Sequence, residues 1–279
     1  MEVLRYAAFT DDPQGGNPAG VVLDATGLEE AGMLAVAAGL GYSETAFLTA
    51  RGEGRFRVRY FSPLAEVPFC GHATIATGVA WAERHGDGQL LLDTASGEVL
   101  VRTASGDGGG PSATLTSVPP RVADLPDGDL ERLLTALRWA AADLDATLPP
   151  RVAYAGAWHP VVAAVTRRRL ADLDYDFDDL QRLMAERDWT TVQLVHRTGD
   201  LAFDVRNPFP PGGIVEDPAT GAAAAALGGY LRALRLVPLP ATVQLRQGDD
   251  LGRPSRLTVE VPAGEGTGIS VSGRAVPMG

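Results

Sequence analysis

Apolar and polar residues alternate along this chain in short runs bounded by glycine and proline, the pattern of half-buried strands. Such runs fall at residues 1–6, 20–23, 43–48, 55–61, 90–93, 98–103, 113–115, 152–155, 161–165, 190–195, 201–206, 242–245, 257–261 and 268–276. Three other segments, 28–40, 130–137 and 177–185, place apolar residues at three-to-four spacing and are predicted as outer helices. Two more, 73–84 and 222–235, are rich in helix formers and apolar all along, as a helix enclosed by sheet must be. Strands outnumber helices, and the expected class is α+β.

The chain also repeats its own punctuation, which points to a duplicated fold. The run Glu66-Val67-Pro68-Phe69-Cys70-Gly71-His72-Ala73 aligns with Glu216-Asp217-Pro218-Ala219-Thr220-Gly221-Ala222-Ala223, 150 residues further on. Each copy follows an alternating strand and a Phe-x-Pro turn, and each precedes one of the enclosed helices. Two similar lobes are therefore predicted, each a mixed, barrel-like sheet around a central helix. They are placed at 1–118 and 119–279, divided at Pro119-Pro120, where the chain must be extended. The last strand, 268–276, is a candidate to return to the first lobe. With 279 residues, each half is long enough to bury its own core. The Gly-rich stretch 106–111 reads as a loop.

Composition narrows the partners. No apolar run approaches a membrane span, and the N-terminal segment lacks the basic start and apolar centre of a signal peptide, so a cytoplasmic protein is expected. A net charge of -11 with scattered Arg residues excludes nucleic acid as a natural ligand. One cysteine and four histidines, of which only Cys70 and His72 are close in sequence, give no reason to expect a resident metal, and no nucleotide-binding motif calls for a cofactor.

The chemistry is expected where the repeat places glycine at a helix start, because backbone N–H groups and the helix dipole both favour an anion there. Two such starts, at Gly71 and Gly221, facing one cleft would suit a small carboxylate; tight helix-sheet packing alone would equally require glycine. The copies differ at informative positions. His72 stands opposite Ala222, Asp217 opposite Val67, and Glu44 near Thr191. Glu44 interrupts an otherwise apolar and Thr-rich strand, and a half-buried carboxylate there suits a general acid/base, whereas an outward-facing Glu would be inert. His72 could be catalytic or a packing residue, and Asp217 before Pro218 could be a helix N-cap. Glu66 and Glu216, present in both copies, read as partners of loop or helix-end N–H groups. Cys70 is opposite Thr220, so a racemase with one thiol on each face of the substrate is excluded, and Cys70 reads as a buried, inert thiol.

These motifs, in order and spanning nearly the whole chain, resemble those of the PhzF-like (phenazine-biosynthesis-like) proteins. The matching residues are Ala8-Phe9-Thr10, Gly16-Asn17-Pro18-Ala19, Ser43-Glu44-Thr45, the two repeat copies, Gln247-Gly248 and Gly252-Arg253-Pro254-Ser255. The resemblance implies a diaminopimelate-epimerase-like fold, commonly as a homodimer, and a cofactor-independent isomerase acting on a small carboxylate. The phenazine-pathway member acts on trans-2,3-dihydro-3-hydroxyanthranilate. By the same resemblance Glu44 moves the proton, His72 and Asp217 orient or share protons with the substrate, and the two helix starts, Gly71-Ala73 and Gly221-Ala222, hold its carboxylate. Ala222 stands where the family usually has Ser, which puts the phenazine substrate in question rather than the proton transfer. The alternatives are an epimerase or racemase of a small amino or hydroxy acid, and a non-catalytic metabolite-binding protein of the same fold.

Overall fold

The structure, a computed structural model, describes residues 1–105 and 110–279. Of the predicted loop 106–111, residues 106–109 lie outside the described residues, while Pro111 already opens a strand. The chain forms two compact units. The first is Met1–Thr116 with Arg253–Arg256 and Val271–Gly279; the second is Ser117–Gly252 with Leu257–Ser270.

The first unit contains, in chain order, β1 (Leu4–Ala8), β2 (Asn17–Val22), α1 (Glu30–Leu40), β3 (Glu44–Gly52), β4 (Arg55–Phe61), β5 (Glu66–Val67), α2 (Gly71–His85), β6 (Gln89–Thr94), β7 (Gly97–Ser105) and β8 (Pro111–Thr116). The second contains β9 (Arg121–Asp124), α3 (Asp127–Leu137), β10 (Arg151–Tyr154), β11 (Trp158–Ala163), α4 (Arg167–Ala171), α5 (Phe177–Arg187), β12 (Gln193–Gly199), β13 (Ala202–Pro208), β14 (Glu216–Asp217), α6 (Gly221–Ala233) and β15 (Ala241–Gln247). The last strands are β16 (Ser255–Val261) and β17 (Ser270–Pro277).

In the first unit β1–β2 is antiparallel, β2–β3 parallel, β3–β4 antiparallel and β4–β6 parallel. The antiparallel series β6–β7–β8 follows, and β17 pairs with both β8 and β1. Eight strands thereby close into a barrel, which leaves no unpaired edge. α2 fills its interior, as its nearly unbroken run of buried small and β-branched residues, Ala73 to Ala80, requires. The same alternation recurs in the second unit: β10–β11 antiparallel, β11–β12 parallel, β12–β13 antiparallel, β13–β15 parallel. α6 is its buried central helix. The repeat read from motifs is thus also a repeat of strand pairing.

Two glycines show why the central helices can be so closely wrapped. A Cβ on Gly78 would lie 2.8 Å from Ala113 and 2.9 Å from Val101; one on Gly228 would lie 2.7 Å from Ile269 and 2.9 Å from Val259. Gly78 and Gly228 stand 150 positions apart, the same offset as the repeat, so the sheet approaches each helix at the same turn. Outside the sheets, α1 covers Val22, Phe47 and Phe61, and α3 with α5 covers Val152, Val162 and Leu194. Each wholly buried leucine in the latter layer, such as Leu133, Leu137 and Leu180, contributes about 1.5–3 kcal/mol. No helix among the described residues is long and apolar enough to cross a membrane.

Candidate functional site

In the first unit the parallel pairing of β2 with β3 sets Ala19 beside Glu44, so Asn17 and Glu44 begin neighbouring strands on the same face. β3 then runs into β4, and the short β4–β5 hairpin delivers the chain to α2, with Cys70 as its N-cap and His72 in its first turn. Glu44, Cys70 and His72 meet there. Glu44 Oε2 is 3.4 Å from His72 Nε2 and 3.5 Å from Cys70 Sγ. The thiol also lies 3.4 Å from His72 Nδ1 and 3.7 Å from Nε2. His72 and Cys70 are buried, and the Glu44 side chain retains 15% exposure, enough to reach a ligand while shielded from bulk water.

The imidazole is oriented from two sides. Asn17 Nδ2 donates to Nδ1 at 3.1 Å, which leaves the proton of the neutral ring on Nε2. Nε2 faces both Ser43 Oγ at 3.2 Å and Glu44. Beneath the helix start, Tyr60 and Thr74 hydroxyls are 2.6 Å apart, and Thr74 donates to the Cys70 carbonyl at 2.7 Å. The Thr74 N–H makes the first intrahelical bond, to Cys70 C=O, so the N–H groups of Gly71, His72 and Ala73 point out of the helix start. Cys70 is buried as expected, but it does not pack as an inert apolar filler: it touches both polar members of the cluster.

In the second unit Asp217 lies on β14, paired with Asn207 on β13, and is buried. It is not the helix N-cap that its place before Pro218 allows; Thr220 holds that position, without a side-chain cap bond. Thr220 instead donates its hydroxyl to Asp217 Oδ2 at 2.6 Å. Gln247 at the end of β15 fixes this turn: its Nε2 donates to the Asp217 carbonyl (2.7 Å) and to Thr220 Oγ1 (3.0 Å), and its Oε1 accepts from Thr220 N–H (3.1 Å). Gly221 and Ala222 then open α6. The repeated acidic residues prove to be ion-pair partners on neighbouring strands: Glu66 with Arg59, and Glu216 with Arg206. Arg59 holds the Glu66 carboxyl below the usual range, whereas burial pushes Glu216 up despite Arg206.

A further buried polar chain joins His159, Thr191 and Asn207. Thr191 donates to Asn207 Oδ1 at 2.8 Å, and its oxygen lies 2.9 Å from His159 Nδ1. Sequence reasoning missed the roles of Ser43, Asn17, Thr220 and Gln247. Their signal was adjacency: Ser43 precedes Glu44, and Asn17 and Gln247 stand within matching motifs.

The profile described as "Phenazine biosynthesis-like protein" matches residues 6–279. An uncharacterized isomerase of Deinococcus radiodurans is 36% identical over 268 residues, covering 93% of this chain and 87% of its own. The trans-2,3-dihydro-3-hydroxyanthranilate isomerase of Pseudomonas chlororaphis is 30% identical over 275 residues, covering 98% and 95%. Among solved structures, a Bacillus anthracis phenazine biosynthesis protein of the PhzF family superposes with a TM-score of 0.88 at 26% identity, covering 100% of this chain and 98% of its own. A hydroxyproline epimerase of Agrobacterium vitis, 16% identical with a TM-score of 0.67 over 99% of this chain and 90% of its own, shares the fold alone. The duplicated strand pairing, the motifs along it and these relatives agree: the chain belongs to the phenazine biosynthesis-like family and is an isomerase of that family.

Proposed function

We propose that this isomerase moves a proton between carbons of a small carboxylate without a cofactor, with Glu44 as general acid/base. The observation that carries the reading is the cluster at the start of α2. Glu44 is the half-shielded carboxylate in it, and its Oε2 stands 3.4 Å from a histidine whose tautomer Asn17 sets. A carboxylate so placed can take a proton from an acidic carbon and return it to another carbon of the same molecule. His72 Nε2–H, directed at Glu44 and Ser43, steadies the charged form and shares the proton. The outward N–H groups of Gly71, His72 and Ala73, with the positive end of α2, suit the substrate carboxylate or the enolate formed on deprotonation. Cofactor independence rests on the sequence, which carries no nucleotide-binding motif.

The role of Asp217, with Gly221 and Ala222, is proposed on the family match and on the buried turn that Thr220 and Gln247 hold around that carboxylate. The homodimer is likewise carried by the resemblance, and light scattering of the purified protein measures it.

A second reading is favoured by one contact. The Cys70 thiol, 3.5 Å from Glu44 and 3.4 Å from His72 Nδ1, is a second proton-carrying group in the cluster, and an epimerase of an amino or hydroxy acid requires that it and Glu44 part to opposite faces of the substrate carbon. Incubation with small carboxylates in deuterated water separates the two. A directed shift gives isomerised product with its configuration kept at other centres; epimerisation gives deuterium at a carbon whose configuration is scrambled. Glu44→Gln with undiminished turnover would sink the leading reading.

A further inference from the structure

We propose that Glu44, Cys70 and His72 also bind one thiophilic divalent cation of the zinc class, and that occupation of this site silences the acid/base. Among the described residues these three form the one group of Cys, His and acidic side chains whose ligand atoms all lie within 4.8 Å of one another. The triangle is more specific than proximity. Its edges are 3.4 Å from Nε2 to Oε2, 3.5 Å from Sγ to Oε2 and 3.7 Å from Sγ to Nε2. Tetrahedral bonds of about 2.3 Å to sulfur and about 2.0–2.2 Å to nitrogen and oxygen require edges of about 3.3–3.6 Å. A cation can therefore enter with shifts of a few tenths of an ångström.

The donor set selects the ion. A thiolate with an imidazole and one carboxylate favours zinc, cadmium or cobalt(II) over magnesium or calcium. Deprotonated Cys70 and ionised Glu44 together neutralise a dication, so the cost of placing charge in a largely buried site is offset. Three protein ligands leave a fourth position for water or for a carboxylate ligand. Ligation through Nε2 puts the imidazole proton on Nδ1, with the Asn17 amide turned so that its oxygen accepts it. Asn17 is then the outer partner that metal-bound histidines generally have.

The binding stands independently of the proposed reaction; the inhibition rests on it, because a carboxylate oxygen bound to metal is not free to take a proton. The test titrates untagged, reduced full-length protein with cobalt(II), then with zinc, without substrate. Uptake of one equivalent is expected, with intense tetrahedral bands and a thiolate-to-cobalt charge-transfer band that one equivalent of zinc abolishes. Cys70→Ser should remove the charge-transfer band and weaken zinc binding at least a hundredfold, and Asn17→Ala should weaken it about 10- to 100-fold. Circular dichroism of each metal-free variant checks that it is folded. Absence of stoichiometric uptake, a pale octahedral spectrum, or full affinity in folded Cys70→Ser would overturn the site. If the site binds metal but one equivalent of zinc leaves proton exchange unchanged, the inhibitory claim fails. If Glu44→Gln retains exchange, the proposed reaction fails while the metal site stands.

Discussion

Acidification is expected to cost the second unit about 3 kcal/mol through His159 alone. The imidazole is wholly buried, and burial pushes its pKa from 6.5 down to about 4. The Thr191 hydroxyl gives its single proton to Asn207 Oδ1, so its oxygen accepts from His159 Nδ1–H, and the ring is held neutral. An unfolded chain takes up the proton near pH 6.5, the folded chain only near pH 4. Between those values the unfolded state binds more protons, and stability falls as the pH falls. The contribution is complete above pH 6.5 and lost by about pH 4. A pKa difference of about 2.5, at 1.36 kcal/mol for each unit, gives the 3 kcal/mol. The assay compares urea unfolding of the wild type and His159→Asn at pH values from 7 to 4. Asn keeps a donor where Nδ1 stood but cannot titrate. Tryptophan fluorescence reports mainly on this unit, which holds Trp139, Trp158 and Trp189. The variant should be the less stable at pH 7, with the gap closing by about 3 kcal/mol toward pH 4. Parallel curves would mean that His159 is not held neutral by burial.

Three other outcomes follow from the packing and the site. Arg206→Met strands the buried Glu216 carboxylate and should cost on the order of 3–5 kcal/mol, most of it recovered by adding Glu216→Leu; chemical denaturation measures both. Gly78→Ala and Gly228→Ala should each cost about 1–3 kcal/mol, seen as lowered Tm, because the added methyl meets Ala113 or Ile269 below contact distance. Cys70→Ala should keep proton exchange within about tenfold if Glu44 alone transfers the proton; a loss greater than about a hundredfold would establish the thiol as the second acid/base.

Most of the strands and the outer helices were readable because their burial is periodic, and α2 and α6 because they are apolar all along. What escaped was short or polar. In β9 only Val122 is partly buried, between exposed neighbours, and α4 opens with three arginines. β5 and β14 span two residues each, too few for any alternation. β12 begins at Gln193 rather than at Thr190, since the Thr191 side chain is committed to His159 and Asn207 before the strand pairs. For the site, the repeat exposed Glu44, His72 and Asp217 as points where two otherwise similar copies differ. It could not show their surroundings. Cys70 looked inert because a lone thiol usually is; only the folding of β3 against the start of α2 brings it to a carboxylate 26 positions earlier. Glu66 and Glu216 were recognised as structural, but their partners sit on the preceding strand, where hairpin register rather than helix ends decides the pairing.

Whether Glu44 transfers the proton is decided by solvent-deuterium exchange. Wild type, Glu44→Gln and Glu44→Asp are incubated in deuterated water with small carboxylates bearing an acidic carbon, beginning with trans-2,3-dihydro-3-hydroxyanthranilate, and the products are read by NMR. Carbon-bound deuterium is expected with the wild type, a loss of about 10²–10⁴-fold with Glu44→Gln, and partial activity with Glu44→Asp. Exchange by folded Glu44→Gln at the wild-type rate would contradict proton transfer by Glu44.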